Sequence, residues 1–182
     1  MNIETEITPN PETLKFIIGK EYISQSGIEI KNEKEAQKFK FAKDCFQLKG
    51  VNRIFIGENF VAITKDKNVN WNYLKTKILT FILDFLYLKK ILIYKNVIKK
   101  QKKKNKKNKI SQNIEKIIEE KVRPAVARDG GDIIFESFDK GIVYLQLRGA
   151  CAGCPSSTAT LKQGIENLLK HYFTEVKEVR AI

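Results

Sequence analysis

Of its 182 residues, the chain spends one on histidine, three on cysteine, four on proline and one on tryptophan. Each scarcity excludes something. His171 is the only histidine, no Ser/His/Asp set is visible around it, and no paired carboxylates stand in a recognisable motif. Hydrolytic catalysis therefore has no visible machinery, and an enzyme is not expected. Three cysteines are too few, and too odd a number, for a disulfide framework, which points to a reducing compartment. A membrane span needs about 20 mostly apolar residues. The run Ile78–Leu88 is shorter, contains Asp84 and is followed by Lys89-Lys90, so no span is expected. The opening residues Met1–Ile7 carry two acids and no basic apolar stretch. Neither a signal peptide nor an Arg-rich transit peptide is expected there.

What is present suffices for a folded core. Hydrophobic residues make up 42% and aromatics 10%, which is not a disordered composition. The length allows one medium domain or two small ones. The net charge of +13 suggests nucleic acid until it is located. Residues 89–109 hold eleven lysines and no acid, and without them 23 basic residues face 21 acidic ones. The basicity thus belongs to one segment. Within it, Gln101–Lys109 is Lys and Asn only after its first residue, with no aromatics to stack on bases. A solvated linker is expected, with a nucleic-acid-binding adaptor as the competing reading.

Three regions follow: 1–88, the basic linker 89–109, and 110–182. In the first, Thr8-Pro9-Asn10-Pro11 reads as a turn, and Leu14, Phe16 and Ile18 alternate as a strand with one buried face. Asn32 and Glu35 are placed like a capping box. Ala36, Phe39, Ala42 and Phe46 then share one side of a helix ended by Gly50. Val51–Ile56 and Phe60–Thr64 form a hairpin through Gly57-Glu58-Asn59. Trp71–Leu88 is a helix carrying Leu74, Ile78, Phe81, Ile82 and Phe85, and Ile91–Tyr94 suits either its extension or a short strand. Cys45 reads as a small buried hydrophobe.

In the third region Ser111 is a helix cap for a stripe of Ile114, Ile117, Ile118, Val122 and Ala125, with Pro124 expected to kink or restart the helix. Asp129-Gly130-Gly131-Asp132 ends it. Ile133–Phe138 and Ile142–Leu147 pair through Asp139-Lys140-Gly141. A helix over Ser156–Tyr172 bears Leu161, Ile165, Leu168, Leu169 and Tyr172, and Val176–Ile182 adds a short strand. The fold class is α+β: two small α+β domains joined by a lysine-rich linker, the second of α-β-β-α-β order. His171, near a helix C-terminus, reads as an exposed residue favoured by the helix dipole.

Between the last hairpin and the last helix lies Gly149-Ala-Cys-Ala-Gly-Cys-Pro-Ser-Ser157, which spaces Cys151 and Cys154 as C-x-x-C on a surface loop. A helix N-terminus favours thiolate, the form that binds metal or attacks disulfides. Three chemistries compete. Half of a zinc site lacks its second pair. A thiol–disulfide oxidoreductase fits the strand–loop–helix context, but thioredoxin-like folds place a cis-proline after the motif, and no proline follows Pro155. An iron–sulfur site needs about four thiolates, which two chains related by a two-fold axis can supply.

The block Val122-Arg-Pro-Ala-Val-Ala-Arg-Asp-Gly-Gly-Asp132, the hairpin, and Leu147-Arg-Gly-Ala-Cys-Ala-Gly-Cys-Pro-Ser-Ser157 together resemble the C-terminal domain of NifU and the Nfu proteins. Thr8-Pro-Asn-Pro-Glu-Thr-Leu-Lys-Phe16, the Gly50-Val51 turn, and Trp71 with its helix resemble the Nfu N-terminal domain. The resemblance implies a non-enzymatic iron–sulfur scaffold or carrier. It implies a [4Fe-4S] cluster shared by two subunits, with Cys151 and Cys154 of each as cofactor-binding and metal ligands. The implied partners are an upstream cluster-assembly scaffold and apo-protein clients. No nucleic-acid partner is implied. A bacterial cytoplasm is the expected compartment, with the mitochondrial matrix as the alternative. The lysine-rich linker departs from the short, less basic one usual in the family.

Overall fold

The structure, a computed structural model, describes residues 3–89, 109–153 and 155–182. They form two compact units, one on each side of the lysine-rich segment. Ile91–Tyr94, the lysine run Gln101–Asn108 and Cys154 lie outside the described residues.

Among the described residues, the first unit is a five-stranded antiparallel sheet in the order β1-β2-β5-β4-β3, with three α-helices. Its strands are β1 (Glu4–Ile7), β2 (Thr13–Ile17), β3 (Ile28–Ile30), β4 (Val51–Ile56) and β5 (Phe60–Lys65). The register sets Leu14, Ile63, Ile54 and Ile30 in one row and Phe16, Val61, Ile56 and Ile28 in the next. These rows pack against α1 (Glu33–Ala36), α2 (Lys40–Cys45) and α3 (Trp71–Lys89), which contribute Ala36, Phe41, Cys45, Leu74, Ile78, Ile82 and Phe85 to the core. Phe81 is only partly buried.

Two expectations are corrected here. Strand β2 is buried on both faces, not one: Lys15 points away from the main core yet is covered. It pairs with Glu6 at 2.8 Å and lies 5.0 Å over the Phe60 ring, beside a second apolar cluster of Phe55, Phe60 and Ala62. The single helix expected through Phe46 is broken. Asn32 does cap α1, accepting from the Glu35 N–H at 3.0 Å, and the Glu35 carboxylate accepts from the Lys31 N–H at 2.9 Å. But Phe39 is extended (φ −132°, ψ 113°), and α2 restarts after it. The break costs little, because Ala36, Phe39, Ala42 and Phe46 are all buried as the helical pattern required.

The second unit begins with α4 (Lys109–Ile117), a π-helical segment (Ile118–Val122) and α5 (Arg123–Arg128). It continues with β6 (Gly131–Asp139), β7 (Ile142–Gly149), α6 (Pro155–Tyr172) and β8 (Glu178–Ala181). Strands β6 and β7 form an antiparallel hairpin, and β8 runs parallel to β7, with α6 as the crossover. The hairpin turn has left-handed backbone at Lys140 (φ 49°) and Gly141 (φ 86°), the two-residue geometry whose twist suits paired strands. The core gathers Ile114, Ile118, Val122 and Val126 with Ile133, Phe135, Val143, Leu145, Ile165, Leu169 and Val179.

Ser111 is not the cap expected of it. The helix already includes Lys109, and Ser111 is a buried residue within it. The π-helical segment explains a second difference. Pro124 lacks the N–H that would bond to the carbonyl four residues back, and its ring crowds that carbonyl. Widening the preceding turn by one residue relieves both. The widened turn also moves the apolar stripe forward by one position. Val126 is buried and Ala125 exposed, the reverse of the regular-period expectation. Four-residue steps around an ideal α-helix drift by about 40° each, and the π turn absorbs that drift across Ile114, Ile118, Val122 and Val126. Among the described residues, no helix is long and apolar enough to cross a membrane.

Candidate functional site

The cysteine loop is built where the β6–β7 hairpin ends. Gly131 pairs with Gly149 in the last rung, and Ala150 N–H reaches the Gly130 carbonyl at 3.1 Å. Gly130 (φ 80°) and Gly149 (φ 62°) take left-handed conformations that most side chains resist, so the chain turns sharply on both sides of that rung. Ala152 N–H then bonds back to Gly149 O at 3.1 Å, and Gly153 (φ 85°) leads toward α6. From the third position after Pro155, the Thr158 hydroxyl donates to the Cys151 carbonyl at 3.1 Å. The loop is thereby tied at its start by the sheet and at its end by the helix.

The structure corrects the expected setting of Cys151. This residue is not on the surface. It is 8% exposed and belongs to the apolar core of the second unit. A methyl group on Gly131 would overlap Cys151 Sγ and would stand 2.9 Å from the Arg148 carbonyl oxygen. The sulfur occupies the space that the glycine leaves free. Thiolate is correspondingly disfavoured: burial first, and the Asp129 and Asp132 carboxylates next, push the Cys151 thiol up to about 12. Whatever the N-terminus of α6 contributes is outweighed, because desolvation acts on the sulfur itself and two acids stand near it.

Asp132 is itself buried. Its carboxylate accepts from Arg123 Nε at 2.7 Å and Nη2 at 3.1 Å, and from the Ile133 N–H at 2.9 Å. Arg123 also donates to Glu119 at 2.8 Å. A two-pronged guanidinium contact with a backbone N–H is what a buried carboxylate requires. The clamp fixes the start of β6, and through Gly131 the floor under Cys151.

Cys45 is fully buried in the first unit, its thiol raised above any ordinary value by desolvation and by Asp44, as the small buried hydrophobe expected. His171 is exposed in the last turn of α6, its ring 5.3 Å from that of Tyr172. Among the described residues no group of three or more His, Cys, Asp and Glu side chains is arranged to hold a metal ion. Sequence reasoning passed over Gly131 and Thr158. A signal existed for the glycine: in Asp129-Gly-Gly-Asp132 only Gly130 is needed for the turn, and Gly131 has no conformational reason to lack a side chain.

Residues 3–89 match the family described as scaffold protein Nfu/NifU N terminal, and residues 114–180 match the NifU-like domain. Among relatives, NifU-like protein 4, mitochondrial, of Arabidopsis thaliana is 40% identical over 184 residues, covering 98% of this chain and 65% of that protein. The NFU1 iron-sulfur cluster scaffold homolog, mitochondrial, of Homo sapiens is 35% identical over 183 residues, covering 100% of this chain and 72% of that protein. A solution NMR structure of a NifU-like protein from Saccharomyces cerevisiae is 31% identical, covers 53% of this chain and 87% of that one, and superposes with a TM-score of 0.47. The chain spans roughly two thirds of the length of the first two relatives. Matched along both of its units, it belongs to the Nfu/NifU scaffold-protein family.

Proposed function

We propose that this protein is an iron–sulfur cluster scaffold and carrier that holds a [4Fe-4S] cluster between two subunits and passes it to apo-proteins. Cys151 and Cys154 of each subunit are its ligands. One observation carries the reading: Cys151, the first residue of the C-x-x-C sequence, stands on the loop that follows β7 in the NifU-like domain, in a segment tied to the sheet at its start and to Thr158 through the Cys151 carbonyl. A cluster needs about four thiolates. One chain brings two from this motif, so a symmetric pair completes the set with one geometry used twice. Few protein atoms surround a cluster held in that way, which favours handing it on.

The same loop speaks against the oxidoreductase alternative. A nucleophilic cysteine works as thiolate, and burial and two acids push the Cys151 thiol up. Metal ligation tolerates that setting, since the bond to iron itself displaces the proton. Of the two compartments expected from the sequence, the names of the relatives favour the mitochondrial one.

Anaerobic reconstitution with iron and sulfide tests the proposal. The expected product is a dimer with about four irons and a broad visible absorbance band, which a chelator returns to monomers. A stoichiometric cluster in a demonstrated monomer would overturn the shared-site reading.

A further inference from the structure

The C-x-x-C loop has two jobs that pull the same sulfur in opposite directions. As part of the core, Cys151 Sγ rests over the backbone of Gly131 and is almost closed off from solvent. As an iron ligand shared with a second chain, it must reach outward. We propose that Gly131 and Thr158 are positioning residues that stow the Cys151 sulfur inside the fold, and that this sulfur leaves its seat to ligate iron. The second half rests on the cluster-carrier reading; the first stands on geometry alone.

The seat has three parts. Its floor is Gly131, where any side chain would overlap the sulfur. That floor is held by the rung to Gly149 and by the Arg123–Asp132 clamp on the next residue. Its latch is the Thr158 hydroxyl on the Cys151 carbonyl, 3.1 Å long and made from the first turns of α6. Its walls are the apolar side chains of the second core. None of these parts is needed to make a loop between β7 and α6. Gly130 and Gly149 already supply the left-handed turns, and Gly131 does not have left-handed backbone. A glycine there leaves room for the sulfur, the nearest atom a side chain would meet, and for the Arg148 carbonyl behind it.

Stowing has a chemical use. A thiol closed off from solvent is protected from oxidation and alkylation while no cluster is present. On loading, the thiol gives its proton to water and its sulfur donates an electron pair to iron. No oxidation change is involved, so no further reactant is needed. On release the sulfur takes up a proton and returns to its seat. Protection and delivery then alternate in one residue.

Alkylation of the cluster-free full chain with iodoacetamide, read at Cys151 by peptide mass spectrometry, tests the seat without iron. In the folded protein Cys151 reacts at least about tenfold more slowly than in the same chain in concentrated urea, as expected for a group reached only by local opening. Gly131→Ala raises the folded rate about tenfold while the β6 and β7 amides stay protected from hydrogen exchange. If that protection is lost, Thr158→Val takes its place, because it removes only the latch. Thr158→Val should raise the rate roughly threefold, and Thr158→Ser, which keeps a hydroxyl, should restore it. Folded and unfolded rates that agree, or a latch variant with no effect, overturn the seat. Iron uptake by the wild type is a separate measurement. If the seat is present and uptake absent, the cluster-carrier reading fails and the stowed thiol survives it. If wild type takes up iron while Cys151 reacts freely without it, the seat alone fails.

Discussion

Each unit hides a cysteine, and the two are hidden differently. Cys45 sits on α2 among Phe41, Ala42 and the α3 side chains, within the main core of its unit. Cys151 is nearly as buried, but it stands on a loop, beside two carboxylates, over a glycine, and under a single hydroxyl latch. On the proposed reading, burial by itself does not tell a structural cysteine from a working one. The distinction lies in how many contacts must break for the sulfur to move. On that reading Cys45 is held by a whole helix in the core, and Cys151 by its core packing on a loop and the Thr158 hydrogen bond.

The largest break in this comparison comes from replacing each cysteine. On the proposed shared site, Cys154→Ser or Cys151→Ser would remove two of four ligands at once, because symmetry repeats the change. Reconstituted iron should fall below about a tenth of wild type, measured per dimer. Cys45→Ser should leave iron content unchanged. It should instead destabilise the first unit by roughly 2 kcal/mol, since a hydroxyl replaces a sulfur in an apolar site. Full iron content in Cys154→Ser, or iron loss in Cys45→Ser, would merge the two classes.

Alkaline pH sharpens the contrast within the second unit. The Cys151 thiol is raised in the fold from its ordinary value of 9.0 to about 12, so the folded state keeps a proton that the unfolded state gives up. The sign follows: this group's contribution is fully present below pH 9 and is lost as pH climbs toward 12. Urea melts of the isolated 110–182 fragment should show a steeper loss of stability over that window than Cys151→Ala shows. Equal slopes would mean that the thiol is not held protonated.

The smallest expected effect lies at the far end of α6. Glu166 accepts from the Val179 N–H at 3.0 Å and from Lys170 at 2.6 Å, joining the helix to β8, and its carboxyl is held below the ordinary range by those bonds, Lys170 first. A lowered carboxyl stabilises the fold above the unfolded value and stops doing so as acid protonates it. The group is partly exposed, so Glu166→Gln should cost only about 1 kcal/mol at pH 7 and nearly nothing once acid has protonated the wild-type carboxyl. A cost that persists in acid would assign the effect to helix packing.

Much of this was legible beforehand, for local reasons. The Val51–Ile56 strand, the Gly57-Glu58-Asn59 turn, the Asn32 cap and the Asp139-Lys140-Gly141 hairpin each depend on residues within a few positions of one another. The edge strands β1 and β3 were missed because they are short and become strands only by pairing with β2 and β4. The helix break at Phe39 and the shift from Ala125 to Val126 were missed because a regular period was assumed across places where packing and Pro124 alter it.

For the site, the sequence by itself determined that a C-x-x-C pair follows a strand and precedes a helix, because strand period, glycine turns and helix stripe are all local. It could not determine where Cys151 Sγ points. Gly131, Asp129 and Asp132 lie well upstream, across the whole β6–β7 hairpin. They meet the sulfur only because antiparallel pairing folds the start of β6 against the end of β7. Burial, the raised thiol and the seat are thus consequences of strand register, a long-range quantity. That is why a loop expected at the surface proved to carry its cysteine inside.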